Sequence, residues 1–162
     1  MSMLDLSGWA ALAEIVATVA VVVSLLLVAY SIKRNTAEVE TANSNFLYQL
    51  DTEIGADISR DATLATIIFK VKQKESLMGA EKIQYVALHE RYLSVLEVAW
   101  TQHRSGSLSD IDWRDWDKYL SGILTGGLPE EWWLEIRSEY KHEFAEHVDS
   151  KYTASQVSDR AE

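Results

Sequence analysis

The stretch Ile15–Ile32 reads IVATVAVVVSLLLVAYSI, 18 consecutive residues without a charge. Extending it back to Ala10 admits one charge, Glu14. A bilayer core of about 30 Å needs about 20 such residues at a rise of about 1.5 Å each. Asp5 and Ser7 are candidate caps ahead of the run. Trp9 and Tyr30 stand near its two ends, where amphipathic rings favour the interface. The pattern predicts one transmembrane helix from Trp9 to Ile32. A buried core helix is the first alternative, but 162 residues leave too little other protein to surround an apolar helix of five turns. A cleaved leader is the second. Ala29-Tyr30-Ser31 offers small residues for cleavage, yet no Lys or Arg precedes the run, which is longer than a usual signal core.

The flanks give an orientation. Lys33 and Arg34 follow the span directly, and the short N-terminal flank (1–8) has no basic residue. Positive charge stays inside, so the N-terminus is expected outside and residues 33–162 in the cytoplasm. Trp9, Tyr30, Lys33 and Arg34 are the expected interfacial anchors.

One side of the span carries Ala10, Ala13, Ala17, Ala20, Ser24, Leu27 and Ser31 at a 3-4-3-4 spacing. Such a seam of mostly small residues lets another helix approach closely. Ile15, Val19, Val22, Leu26 and Ala29 lie opposite and suit lipid. Glu14 falls at the edge of the apolar core, within reach of water, rather than at mid-membrane.

The rest of the chain reads as helices. Residues 33–60 form a polar neck that becomes amphipathic through Val39, Phe46, Leu47, Leu50, Ile54 and Ile58, with Gly55 as an expected kink or end. Asp61–Gln73 is expected as a short second helix with Leu64, Ile67, Ile68 and Val71 on one face, and Ala80–Arg104 as a third, apolar over most of its circumference and therefore central. Ser109 or Asp110 caps a fourth helix that presents Trp113, Trp116, Leu120 and Ile123. Pro129 opens a fifth, with a stripe from Trp133 through Ile136, Tyr140 and Phe144 to Val148. The expected architecture is all-α: one transmembrane helix continuing into a small cytoplasmic bundle (61–150), about five helices in total. Residues 151–162 have little apolar content and are expected to be a disordered tail.

Composition narrows the function. The chain has no Cys, one Pro, seven Gly and a net charge of −10. Without Cys there is no disulfide, thiolate metal site or Cys nucleophile. All 15 basic residues lie from Lys33 onward, where 23 acidic ones outweigh them to give −8. That balance argues against nucleic-acid binding, which needs a basic footprint. His142 and His147 are five apart and lie about 140° apart around a helix, not the i, i+4 pair of a zinc protease. Glu139 and His142 make one half of a di-iron pattern with no second half. No nucleophile elbow, phosphate loop or dinucleotide fingerprint occurs. No cofactor is expected. Trp132 and Trp133 are adjacent and point about 100° apart, so Trp132 is a candidate partner contact.

Glu14–Ser24, the closing Ile32-Lys33-Arg34-Asn35-Thr36, and the C-terminal set Ser107-Leu108-Ser109-Asp110, Trp113, Trp116, Pro129-Glu130, Trp132-Trp133 and Phe144 carry a resemblance. They resemble a family of small bacterial single-span membrane proteins with a helical, Trp-containing cytoplasmic part and no assigned activity. The resemblance covers about Gly8 to Val148. It departs where the family shows a Gly-Leu-Asp turn and where Glu130 replaces Gly. It implies a bacterial inner (plasma) membrane location and transfers no catalytic residue. The expected function is a non-catalytic membrane-anchored interaction protein, an accessory subunit or assembly factor. The alternatives are a self-assembling single-span protein and a ligand-binding domain or enzyme with a pocket between helices. The expected partners are the bilayer and, through the seam, another membrane protein or a second copy.

Overall fold

The structure is a computed structural model and describes residues 3–159. Every regular element in that range is helical. The order is α1 (Met3–Arg60), α2 (Ala62–Lys72), α3 (Ala80–Arg104), α4 (Asp110–Gly126), α5 (Glu130–Ile136), a 3-10 turn (Arg137–Glu139) and α6 (His142–Asp159). The described chain thus has six α-helices where about five were expected. It divides into two compact units, residues 1–41 and 42–162.

The described part of the first unit is helix throughout, and every residue from Gly8 to Val39 is exposed. This helix is long and apolar enough to cross a membrane: its most apolar stretch has a mean hydropathy of 2.6 and none of it is buried.

The second unit has its own core. The later part of α1 contributes Leu47 and Ile54, buried, with Leu50 and Ile58 beside them. Gly55 does not break the helix, which continues to Arg60. A lone glycine costs a helix about 1 kcal/mol, which packing on either side outweighs. Helix α3 is central as expected, burying Leu88, His89, Leu93, Val95, Leu96 and Ala99. It packs most extensively against α4, which supplies Trp116, Leu120 and Leu124. Trp133 and Ile136 of α5 complete the core with Phe144, Ala145, Val148 and Tyr152 of α6.

Local chemistry sets the helix ends. Asp61 accepts from the backbone N–H of Thr63 and Leu64 at 2.8 and 3.2 Å. Ser109 accepts from Asp112 N–H at 3.1 Å while its hydroxyl donates to the Asp112 carboxylate at 2.9 Å. The first bond is an ordinary N-cap, and the second holds the serine hydroxyl in place for it. Helix α2 ends in a Schellman turn: Glu75 N–H donates to Lys70 O and Lys74 N–H to Val71 O. Lys74 takes the left-handed position of that turn at φ 59°.

Three expectations are corrected. The fifth helix is not continuous to Val148. It stops at Ile136, and Tyr140 is extended (ψ 158°) before α6 begins. The break is held from outside: Lys141 N–H donates to the Glu97 carboxylate of α3 at 2.7 Å, and the Tyr140 ring lies between Trp133 and Phe144. Pro129 stands just outside α5 as its N-cap rather than in its first turn. The expected tail is helix through Asp159, because Tyr152 is buried and its hydroxyl donates to Leu128 O at 2.8 Å. Only residues 160–162 of that expected tail fall outside the described residues.

Candidate functional site

The candidate site in the first unit is the exposed apolar helix itself. Trp9 is 72% exposed and Tyr30 67%. Between them stand Leu12, Ile15, Val16, Val19, Val21, Val22, Val23, Leu25, Leu26, Leu27 and Val28, all exposed. Ala10, Ala13, Ala17, Ala20, Ser24, Leu27 and Ser31 of the expected seam are exposed as well, so both sides of this helix are open. Two hydroxyls within the run are closed on the helix. Thr18 donates to Glu14 O and Ser24 to Ala20 O, both at 2.8 Å. A hydroxyl bonded to the carbonyl four residues back needs no water, which removes its cost in hydrocarbon. Lys33 and Arg34 follow, exposed, and Arg34 pairs with Glu38 at 2.8 Å.

In the second unit, Trp132 is covered rather than offered. It packs partly buried against the core, edge to face with Tyr85 at 6.0 Å, and Lys82 Nζ sits 5.1 Å from its ring centre. Both neighbouring Trp residues therefore reach one core, because α5 lies close enough for Trp133 to fill it and Trp132 to flank it. The exposed apolar residue of this helix is Leu134.

The histidines separate as their spacing implies. His142 is exposed beside Glu146 at 3.2 Å. His147 Nε2 meets Asp117 Oδ1 at 2.7 Å, and Lys151 bonds the same carboxylate. Partial burial alone would raise the Asp117 carboxyl, but the bonds from Lys151 and His147 prevail and hold it below its ordinary value. Among the described residues no three His, Cys, Asp or Glu side chains gather into a metal-binding group.

His89 is the buried polar side chain of the core, 6% exposed. Its Nδ1 lies 2.8 Å from Tyr85 O. Its Nε2 faces Gly127, where an added Cβ would lie 2.7 Å away. Burial pushes its pKa down, with the Tyr85 carbonyl acting against that. Nothing in the periodicity of α3 marked this histidine apart from its apolar neighbours.

Two open grooves follow α1 and α3. One, of about 550 Å³, is lined by polar residues including Gln49, Glu53 and Asp57; Arg91 closes on Asp57 there at 2.8 Å. The other, of about 540 Å³, is lined by Leu50, Ile54, Ala87, Val95 and Val98 among others. No protein-family model, curated protein or solved structure matches this chain.

Proposed function

We propose that the chain is a non-catalytic, membrane-anchored interaction protein, an accessory subunit or assembly factor of a larger complex in the bacterial plasma membrane. The anchor is the helix from Trp9 to Ile32, with the N-terminus outside and the helical body in the cytoplasm. One observation carries the reading: the apolar helix is exposed along its whole length while the second unit builds a core without it. Leaving a Val, Leu or Ile side chain in water forfeits about 1.5–3 kcal/mol, so this run amounts to tens of kcal/mol that a bilayer would recover. The closed hydroxyls of Thr18 and Ser24 and the Lys33-Arg34 pair support the same reading. The resemblance to small bacterial single-span proteins agrees with it.

The seam of Ala10, Ala13, Ala17, Ala20, Ser24, Leu27 and Ser31 is the contact through which the span meets another helix. The experiment is purification of the full chain from its own membrane in mild detergent, after crosslinking, followed by mass measurement. A distinct membrane protein at fixed stoichiometry is the expected result. Replacing Ala17 and Ala20 by Leu should release it. A species containing only copies of this chain would replace the accessory-subunit reading with self-assembly through the same seam. A lone subunit that traps no neighbour would overturn both.

A further inference from the structure

A cavity of about 200 Å³ opens in the second unit, lined by Tyr48 and Asp51 of α1 and by Asp115, Trp116 and Tyr119 of α4. Three of its five lining residues are aromatic and two are carboxylates; none is Lys, Arg or His. The Tyr48 and Trp116 ring centres lie 5.4 Å apart with planes inclined at 39°, and those of Trp116 and Tyr119 6.0 Å apart at 67°. Rings inclined in this way do not stack flat, and the two tyrosine rings stand beside a largely covered Trp116.

Trp116 is held by packing, and Tyr119 and Asp51 are held by a mutual hydrogen bond. Trp116 is 4% exposed, and its Nε1 is buried without a hydrogen-bond partner among the described residues. The Tyr119 hydroxyl donates to Asp51 Oδ1 at 3.1 Å, and its ring meets Tyr92 edge to face at 6.0 Å. Burial first, then the neighbouring Tyr92 and Asp51, push the Tyr119 phenol well above its ordinary value, so it remains a donor to Asp51. Asp115, exposed at the rim, has no hydrogen bond or ion pair among the described residues.

We propose that this cavity binds a small alkylated ammonium ion of the choline type. The faces of Trp and Tyr are negative, and a cation over them is attracted without needing a hydrogen bond. A quaternary ammonium suits this best, since it gives up little hydration on entering. Asp51 and Asp115 add negative charge beside the rings, which favours a cation over an anion or a neutral guest. The volume is below the roughly 300–1,000 Å³ of sites for drug-sized ligands but several times the ~30 Å³ share of one water. The cation is either free or the headgroup of a lipid. The site is independent of how the span is read.

The test is calorimetric titration of the full chain in a maltoside detergent, at constant ionic strength. Choline chloride should bind saturably at one site. Its uncharged carbon analogue, 3,3-dimethylbutan-1-ol, should bind at least about tenfold more weakly, the size of a cation–π and charge contribution of about 1.4 kcal/mol. Glycerophosphocholine, a net-neutral phosphodiester like the lipid headgroup, binding as tightly as choline would identify a lipid headgroup as the source; weaker binding would identify the free ion. Asp115→Asn, at an exposed position, and Tyr48→Leu, at a half-exposed one, should each weaken choline about threefold to tenfold while the chain keeps its unfolding temperature. Equal binding of choline and the alcohol, no saturable choline binding, or unchanged affinity in both variants would overturn the assignment.

Discussion

The indole Nε1–H of Trp133 donates to Asp149 Oδ1 at 2.8 Å, joining α5 to α6 through a ring that is fully buried. Arg137 grips the same carboxylate through Nε and through Nη2, the latter at 2.6 Å. Bonds from Arg137 and from Trp133 hold the Asp149 carboxyl below its ordinary value. Asp149→Ala would leave the indole N–H buried and unpaired, a loss of about 1–3 kcal/mol. Asp149→Asn keeps an acceptor for the indole and should lose less than half as much. Thermal unfolding of the full chain in detergent, followed by near-UV circular dichroism, checks both.

Gly127 is required by close approach, not by a left-handed backbone. Its φ is −145°, but a Cβ there would meet His89 Nε2 at 2.7 Å and the Tyr85 hydroxyl at 3.1 Å. Gly127→Ala should destabilise by about 1–3 kcal/mol, because the buried His89 ring or the turn must shift to admit the Cβ. In a His89→Ala background the same change should cost at least about 1 kcal/mol less, since the tightest contact is then removed and only the milder one to Tyr85 remains. Additive losses in the double-mutant cycle would contradict the contact.

Lys74 is a non-glycine residue with positive φ. The left-handed conformation costs an L-residue about 1–2 kcal/mol, and glycine is the usual occupant of this Schellman position. Lys74→Gly should therefore stabilise the chain by about 0.5–1 kcal/mol, read as a rise in unfolding temperature.

Much of this second unit was legible in the sequence, and the reason is chemical. Asp61, Gly106 and Ser109 act on their immediate neighbours, so the start of α2, the end of α3 and the start of α4 follow from local patterns. The break at Tyr140–Lys141 was not legible, because the group that caps it, Glu97, comes from α3, 44 residues away. The last part of the C-terminal helix, from residue 151, was read as a tail because its polar residues hide the continuation of the stripe Phe144, Val148 to Tyr152, whose four-residue spacing was the available signal. The cavity is similar. Tyr48 and Asp51 share a face of α1, and Asp115, Trp116 and Tyr119 cluster on α4, but only packing brings the two sets together. The exposed span stands at the other extreme, since a continuous apolar run is visible in composition alone.

Stability should depend on pH through His89. Burial lowers its folded pKa below the unfolded value of about 6.5, so the unfolded state takes up the proton first as pH falls. The contribution of neutral His89 is thus complete above about pH 6.5 and is lost as pH falls below it. The unfolding temperature of the full chain should drop between pH 7.5 and roughly 5.5, and the drop should shrink in His89→Asn. A flat profile in the parent chain, or an equal drop in the variant, would contradict this role.

The central claim is that the helix from Trp9 to Ile32 lies in a bilayer, and alkaline carbonate extraction of membranes carrying the full chain tests it most directly. High pH strips proteins held by charge or by a partner's surface but not those whose apolar helix crosses the lipid. The chain should stay entirely in the membrane pellet, and a Val22→Arg, Leu26→Arg variant, which places two charges at the middle of the span at about 2.5–3.5 kcal/mol each, should be extracted in large part. Release of the unaltered chain into the supernatant would contradict the account.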